Sequence, residues 1–191
     1  MSAGSGDEAL PAMHRFGTLV FLMAGVMFFA GLTGSYLVFR FSGQVWPAPG
    51  LPALPIGLGS LSTLVILASS LLLQRAVRAM RTLDAAGLRR GLAAAAGLGT
   101  TFLLVQCLQW WTLFRHGLSF AGTTYGSIFY ALTGAHAVHA TVGVLWLLLI
   151  AWRQREAWVS DRRQRKVEVC ALYWHFVGWV WLGLYGTLYL L

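Results

Sequence analysis

Five uninterrupted apolar runs, at residues 16–40, 55–74, 90–114, 124–152 and 168–191, constrain this chain more than anything else in it. A helix crossing a hydrocarbon core needs roughly 20 residues at about 1.5 Å rise each, and every run meets that length. Backbone polar groups inside a bilayer must be paired within the span, so each run is expected to be a helix. Proline placement agrees: Pro11 falls in the N-terminal tail, Pro47, Pro49, Pro52 and Pro55 cluster at one loop, and no run is interrupted internally. With 58% hydrophobic and 10% charged residues and a mean hydropathy of +0.67, the sequence cannot be wrapped around one soluble core. The expected fold is all-α: a polytopic membrane protein with a cytoplasmic tail over residues 1–15 and five transmembrane helices over 16–191. The first run is too long and starts too late for a secretory signal, and Asp7 and Glu8 precede it in place of a basic segment, so no cleavage is expected.

Charge orients the bundle. With five spans, the tail, the loop near residues 75–90 and the loop near 153–166 share one side, and they hold twelve of the fourteen Lys and Arg residues. Arg40 and Arg115 alone fall on the other side. Cytoplasmic loops carry the basic excess, which puts the N-terminus inside and the C-terminus outside. A pI near 10.3 would suggest nucleic acid for a soluble protein. Here the cations sit in juxtamembrane loops, where anionic lipid headgroups are the nearest partner, and no nucleic-acid role is expected.

Of the six acids, Asp7, Glu8, Asp84, Glu156 and Asp161 fall in the tail or loops, and Glu168 opens the last run. An ion or proton transporter usually needs a carboxylate or comparable relay near the midplane, so independent transport is not expected. Cys107 and Cys170 lie at different depths without CxxC spacing, which argues against a disulfide or thiolate metal site. No Walker loop, Rossmann glycine pattern or spaced nucleophile and base is present.

Histidine is where a cofactor could hide. His136 and His139 stand three apart on the fourth run, about 60° apart around a helix, and His175 lies on the fifth. Imidazoles so placed can hold a metal or, on facing helices, haem. The favoured reading is that they bond to Thr133, Gln109, Tyr173 or backbone carbonyls and tie helices together. Glu168 lies seven residues from His175, about 10 Å along the axis, and is expected to meet Arg153, Arg155 or Lys166 at the cytoplasmic rim. The fourth and fifth helices should pack side by side across their short connection.

Small residues at four-residue spacing, Ala30 with Gly34 and Gly31 with Ser35, prepare one face of the first helix for close packing. Ala131, Ala135, Ala137, Thr141 and Gly143 do the same on the fourth. Trp46, Trp110 and Trp111 toward the outer face, and Trp152 and Trp158 toward the inner, read as interfacial belts.

Phe28-Phe29-Ala30-Gly31, Gly126-Ser127, Phe129, Thr133-Gly134, His136, His139, Gly143, Arg153-Gln154, Glu168 and Tyr173-Trp174-His175-Phe176-Val177 together carry a resemblance. From about residue 16 onward the chain resembles subunit III of the haem-copper cytochrome c oxidases, in the shorter form that lacks the first two of seven helices. The resemblance implies a non-catalytic subunit of the cell inner (plasma) membrane, docked on subunit I in a complex that also contains subunit II. Haem and copper would reside in those partners, with none in this chain, and phospholipid would be the bound group. On the same basis Arg153 is expected to meet a lipid phosphate, with His139 and Trp174 as further lipid contacts. His136, His139, Glu168, His175, Gln106 and Gln109 are expected to form a buried polar network. Ala30, Gly31, Gly34 and Ser35 are the expected packing interface. Three family acids are missing, with Gly25, Gln109 and Gly178 in their places. An accessory subunit of a nitric oxide reductase would accommodate those losses, and a haem-bearing anchor using His136 or His139 with His175 is the further alternative.

Overall fold

A computed structural model of the chain describes residues 5–42, 46, 50–153 and 161–191, the side chains of 5–16, 161 and 162 excepted. Its helices are α1 (Ser5–Arg40), α2 (Ile56–Arg81), α3 (Ala85–Arg115), α4 (Thr124–Arg153) and α5 (Asp161–Tyr185). A π-helical turn, Gly186–Leu190, ends the chain. Five segments are long and apolar enough to cross a membrane: Gly17–Arg40, Ile56–Arg81, Ala85–Arg115, Thr124–Arg153 and Arg163–Leu190. The expected all-α, five-span fold is therefore observed.

The ends differ from the apolar runs for a physical reason. Hydropathy marks what lies in hydrocarbon, whereas a helix continues as long as its backbone ladder does. Thus α2 extends through Arg75, Arg78 and Arg81, and α3 begins at Ala85, leaving a three-residue connection. In that turn Leu83 takes a φ of 60°, a conformation unfavourable for a branched side chain, and Asp84 caps α3 by accepting from the Gly87 N–H at 2.8 Å. At the other end of α3, Gly117 has φ +93° just past the helix and turns the chain away without a Cβ clash. Thr123 then starts α4 by accepting from the Gly126 N–H at 3.1 Å.

Seven hydroxyls within the spans are satisfied locally. Ser35, Thr63, Thr100, Thr101, Thr112, Thr133 and Thr141 each donate to the carbonyl four residues back, a device suited to a medium without water.

Helices α2 to α5 form the bundle. The α2–α3 hairpin is its most extensive pairing, α4 packs on α3, and α5 closes the group against both α2 and α4. The expected α4–α5 neighbourhood is present. Helix α1 lies outside, touching α4 and α5, and among its described side chains only Phe29 and Tyr36 are buried. The core is stacked in three layers. Leu73, Leu92, Leu147 and Trp174 lie toward the basic end, Ile66, Phe102 and Trp181 in the middle, and Tyr36, Tyr125, Phe129 and Tyr189 toward the opposite end.

Candidate functional site

Trp174 is the pivot of the basic half. Its indole lies where side chains at Gly99 of α3 and Gly143 of α4 would stand, since a Cβ there would fall 2.7 and 2.6 Å from ring carbons. The ring N–H donates to Ser69 Oγ of α2 at 3.0 Å, and that hydroxyl donates to the Ala95 carbonyl of α3 at 2.8 Å. Four helices thus meet on one side chain. Trp174 was expected among the lipid contacts, but it is fully enclosed, because two glycines hollow a slot for it and Ser69 completes its hydrogen bonding. Ser69 and Gly99 escaped the sequence analysis, although Ser62 and Ser69 repeat at seven-residue spacing on α2's inward face.

His136 and His139 both pack on Phe29 of α1, whereas His175 meets α2. His136 is wholly buried among Trp181, Phe102 and Phe29, with ring centroids 5.3, 5.6 and 6.2 Å away, and neither ring nitrogen has a partner. This corrects the expected hydrogen bonds for His136, whose expected partners are engaged elsewhere. Thr133 Oγ1 donates to the Phe129 carbonyl and accepts from the Trp110 N–H, Gln109 Oε1 accepts from the Tyr189 hydroxyl, and the Tyr173 hydroxyl donates to the His139 carbonyl. His139, half-buried, bonds through Nδ1 to the Ala135 carbonyl at 2.8 Å and meets Phe29 edge-on. His175 pairs with Ser70 of α2 in a short hydrogen bond. Among the described residues, no three His, Cys, Asp or Glu side chains gather as a metal-holding group.

Gln106 and Gln109 are buried, as expected of a polar interior. Glu168 is not: its side chain keeps 41% of its exposure and pairs with Arg81 of α2 at 3.6 Å. The expected partners were Arg153, Arg155 or Lys166. Arg155 lies outside the described residues, and α5 packs on α2 closely enough for Arg81 to reach the carboxylate. An ion pair this exposed contributes at most about 1 kcal/mol.

The basic end carries two grooves. One, of 570 Å³, lies between α3 and α4 and is lined by Arg89, Arg90, Ala93, Leu148, Ala151 and Trp152, next to the exposed Arg153 that ends α4. The other, of 530 Å³, runs between α1, α2 and α5, with Arg81, Arg165 and Glu168 along it and His175 in its wall. Each joins guanidinium groups to an apolar wall, the chemistry of an anionic headgroup and its acyl chains.

On α1, Ala30, Gly31 and Ser35 are exposed and Gly34 is half-buried. A Cβ at Gly31 or Gly34 would meet nothing within 4 Å. Among the described residues, there is thus open space beside this face at Gly31 and Gly34. Gly25, in place of a family acid, faces α5, where the Phe176 ring fills the space at 2.8 Å from a Cβ position.

Comparison with known proteins agrees with this geometry. A family model described as Cytochrome c oxidase subunit III matches residues 2–191. Cytochrome c oxidase subunit 3 of Synechocystis sp. is 34% identical over 187 residues, covering 97% of this chain and 79% of that protein. The Corynebacterium diphtheriae protein of the same name is 34% identical, covering 94% of this chain and 88% of its own length. That of Thermostichus vulcanus is 30% identical, with 95% and 89% covered. A full-length family match on a five-helix apolar bundle makes this chain a member of the cytochrome c oxidase subunit III family, a multi-pass membrane component of a haem-copper oxidase complex.

Proposed function

We propose that the chain is a lipid-holding scaffold that docks on oxidase subunit I, in a plasma-membrane complex with subunit II, stabilises subunit I and supports its proton uptake. In this reading it contributes neither haem nor copper, and its basic end faces the cytoplasm. The observation that carries the reading is the state of α1. That helix leaves Leu19, Val20, Met23, Met27 and Val38 exposed around a small-residue strip in which Ala30, Gly31 and Ser35 are exposed and a Cβ at Gly31 or Gly34 would meet nothing within 4 Å. A helix held so lightly by its own bundle is suited to being covered from outside, and small residues let a neighbouring helix approach closely. Lipid is assigned to the basic end, with Arg89 and Arg90 of the α3–α4 groove and Arg153, which follows the groove residue Trp152, for the phosphate.

The test uses Gly31→Leu. A Cβ at Gly31 would meet nothing within 4 Å among the described residues, so the fold should tolerate the larger side chain, while a partner helix lying on the strip would be displaced. The expected result is normal membrane insertion with a lowered yield of this subunit in oxidase purified through subunit I. Unchanged stoichiometry would remove α1 from the interface.

A further inference from the structure

Six polar side-chain atoms without hydrogen-bond partners lie within about one helical turn of one another along the bundle axis. They are Ser62 Oγ, both amide atoms of Gln106, Gln109 Nε2 and both ring nitrogens of His136, on residues with 0 or 1% exposure. The helix registers bring them together. The Trp110 N–H bonds Thr133 Oγ1, so Gln106, one turn earlier on α3, lies level with His136, one turn later on the antiparallel α4. The Trp181 N–H bonds Thr63 Oγ1, which puts the neighbouring Ser62 level with Trp181, and the Trp181 ring lies 5.3 Å from that of His136. Gln109 follows on the same buried face of α3, its oxygen already taken by the Tyr189 hydroxyl.

Within a membrane span such atoms have no bulk solvent to turn to, and buried polar groups in native proteins are almost always paired with protein or ordered water. The set includes donors from both amides and the hydroxyl, and acceptors from the Gln106 oxygen and one imidazole nitrogen. No Asp, Glu, Lys or Arg is buried among the described residues, so nothing at this level calls for an ion. A neutral ligand that both donates and accepts fits the set. We propose that this layer binds water, about two molecules at roughly three hydrogen bonds each, bridging Ser62, Gln106, Gln109 and His136. The site joins α2, α3 and α4 through solvent where Trp174 joins them through protein.

The experiment is X-ray radiolytic hydroxyl labelling of the intact purified oxidase complex, in which bound water generates radicals that oxidise the side chains beside it. Phe102, Trp181 and Trp174 all have 0% exposure, but only the first two pack on His136. Trp174 serves as the dry reference. The expected result is labelling of Phe102 and Trp181 several-fold faster than that of Trp174. Equal, slow labelling of all three would overturn the proposal and leave Gln106 and His136 paired directly. In a complex carrying Ser62→Ala with Gln106→Leu, labelling at Trp181 should fall toward that of Trp174, and an unchanged rate would also overturn it. If that variant does not assemble, the native comparison still decides.

Discussion

Trp174 and His136 are both fully buried aromatic side chains, yet the first has its N–H satisfied and the second has two unpartnered nitrogens. The difference lies in neighbours that a linear reading cannot place. That histidines and glutamines fall within the spans was legible, because polar groups in apolar runs are conspicuous. That Gly99 and Gly143 form a slot was not, because a glycine in a helix has the same letter whether it faces lipid or a ring. The slot can be tested: Gly143→Ala drives a methyl into the Trp174 ring and should cost about 1–3 kcal/mol, seen as a lowered thermal midpoint of the purified protein. Gly97→Ala, which meets nothing within 4 Å, should leave the midpoint unchanged or slightly raised. At the proposed lipid site the contrast is between two exposed arginines. Arg153→Ala should reduce retention of anionic lipid in native mass spectrometry more than Arg78→Ala, because Arg153 adjoins the groove of Arg89, Arg90 and Trp152. Equal retention would leave Arg153 as an orienting charge.

The helices themselves were legible from length and apolarity, and all five are present. Their ends were not, since the polar extensions of α2, α3 and α5 carry no hydropathy signal and continue because their backbone ladders do. Pairing was legible only in part. A short connection predicted α4 beside α5, but nothing in the residues announced that α5 also packs on α2, and this is why Glu168 was assigned the wrong partner. The α2–α3 hairpin gives the clearest prediction at this scale. Its three-residue turn depends on Asp84 accepting from the Gly87 N–H, so Asp84→Ala should cost about 1 kcal/mol in thermal unfolding of the purified protein, and Asp84→Asn should recover most of it. Equal midpoints for Asp84→Ala and the native protein would mean that packing alone holds the turn.

As a whole, the molecule is a four-helix bundle with a fifth helix laid on its outside, basic at one end and stacked with aromatic side chains at the other. Among the described residues no Asp, Glu, Lys or Arg is buried, and the interior polarity is carried by hydroxyl, amide and imidazole groups. In the proposed role such a subunit gives its neighbour surface and bound lipid. The scaffold reading is tested most directly by oxygen consumption of the oxidase with and without this subunit, normalised to haem and followed through sustained turnover. The account predicts a nearly unchanged initial rate, then faster inactivation in the depleted complex, with a fall in proton uptake at alkaline pH. Immediate and complete loss of activity with full haem content would contradict it and point to a direct role for His136, His139 or His175.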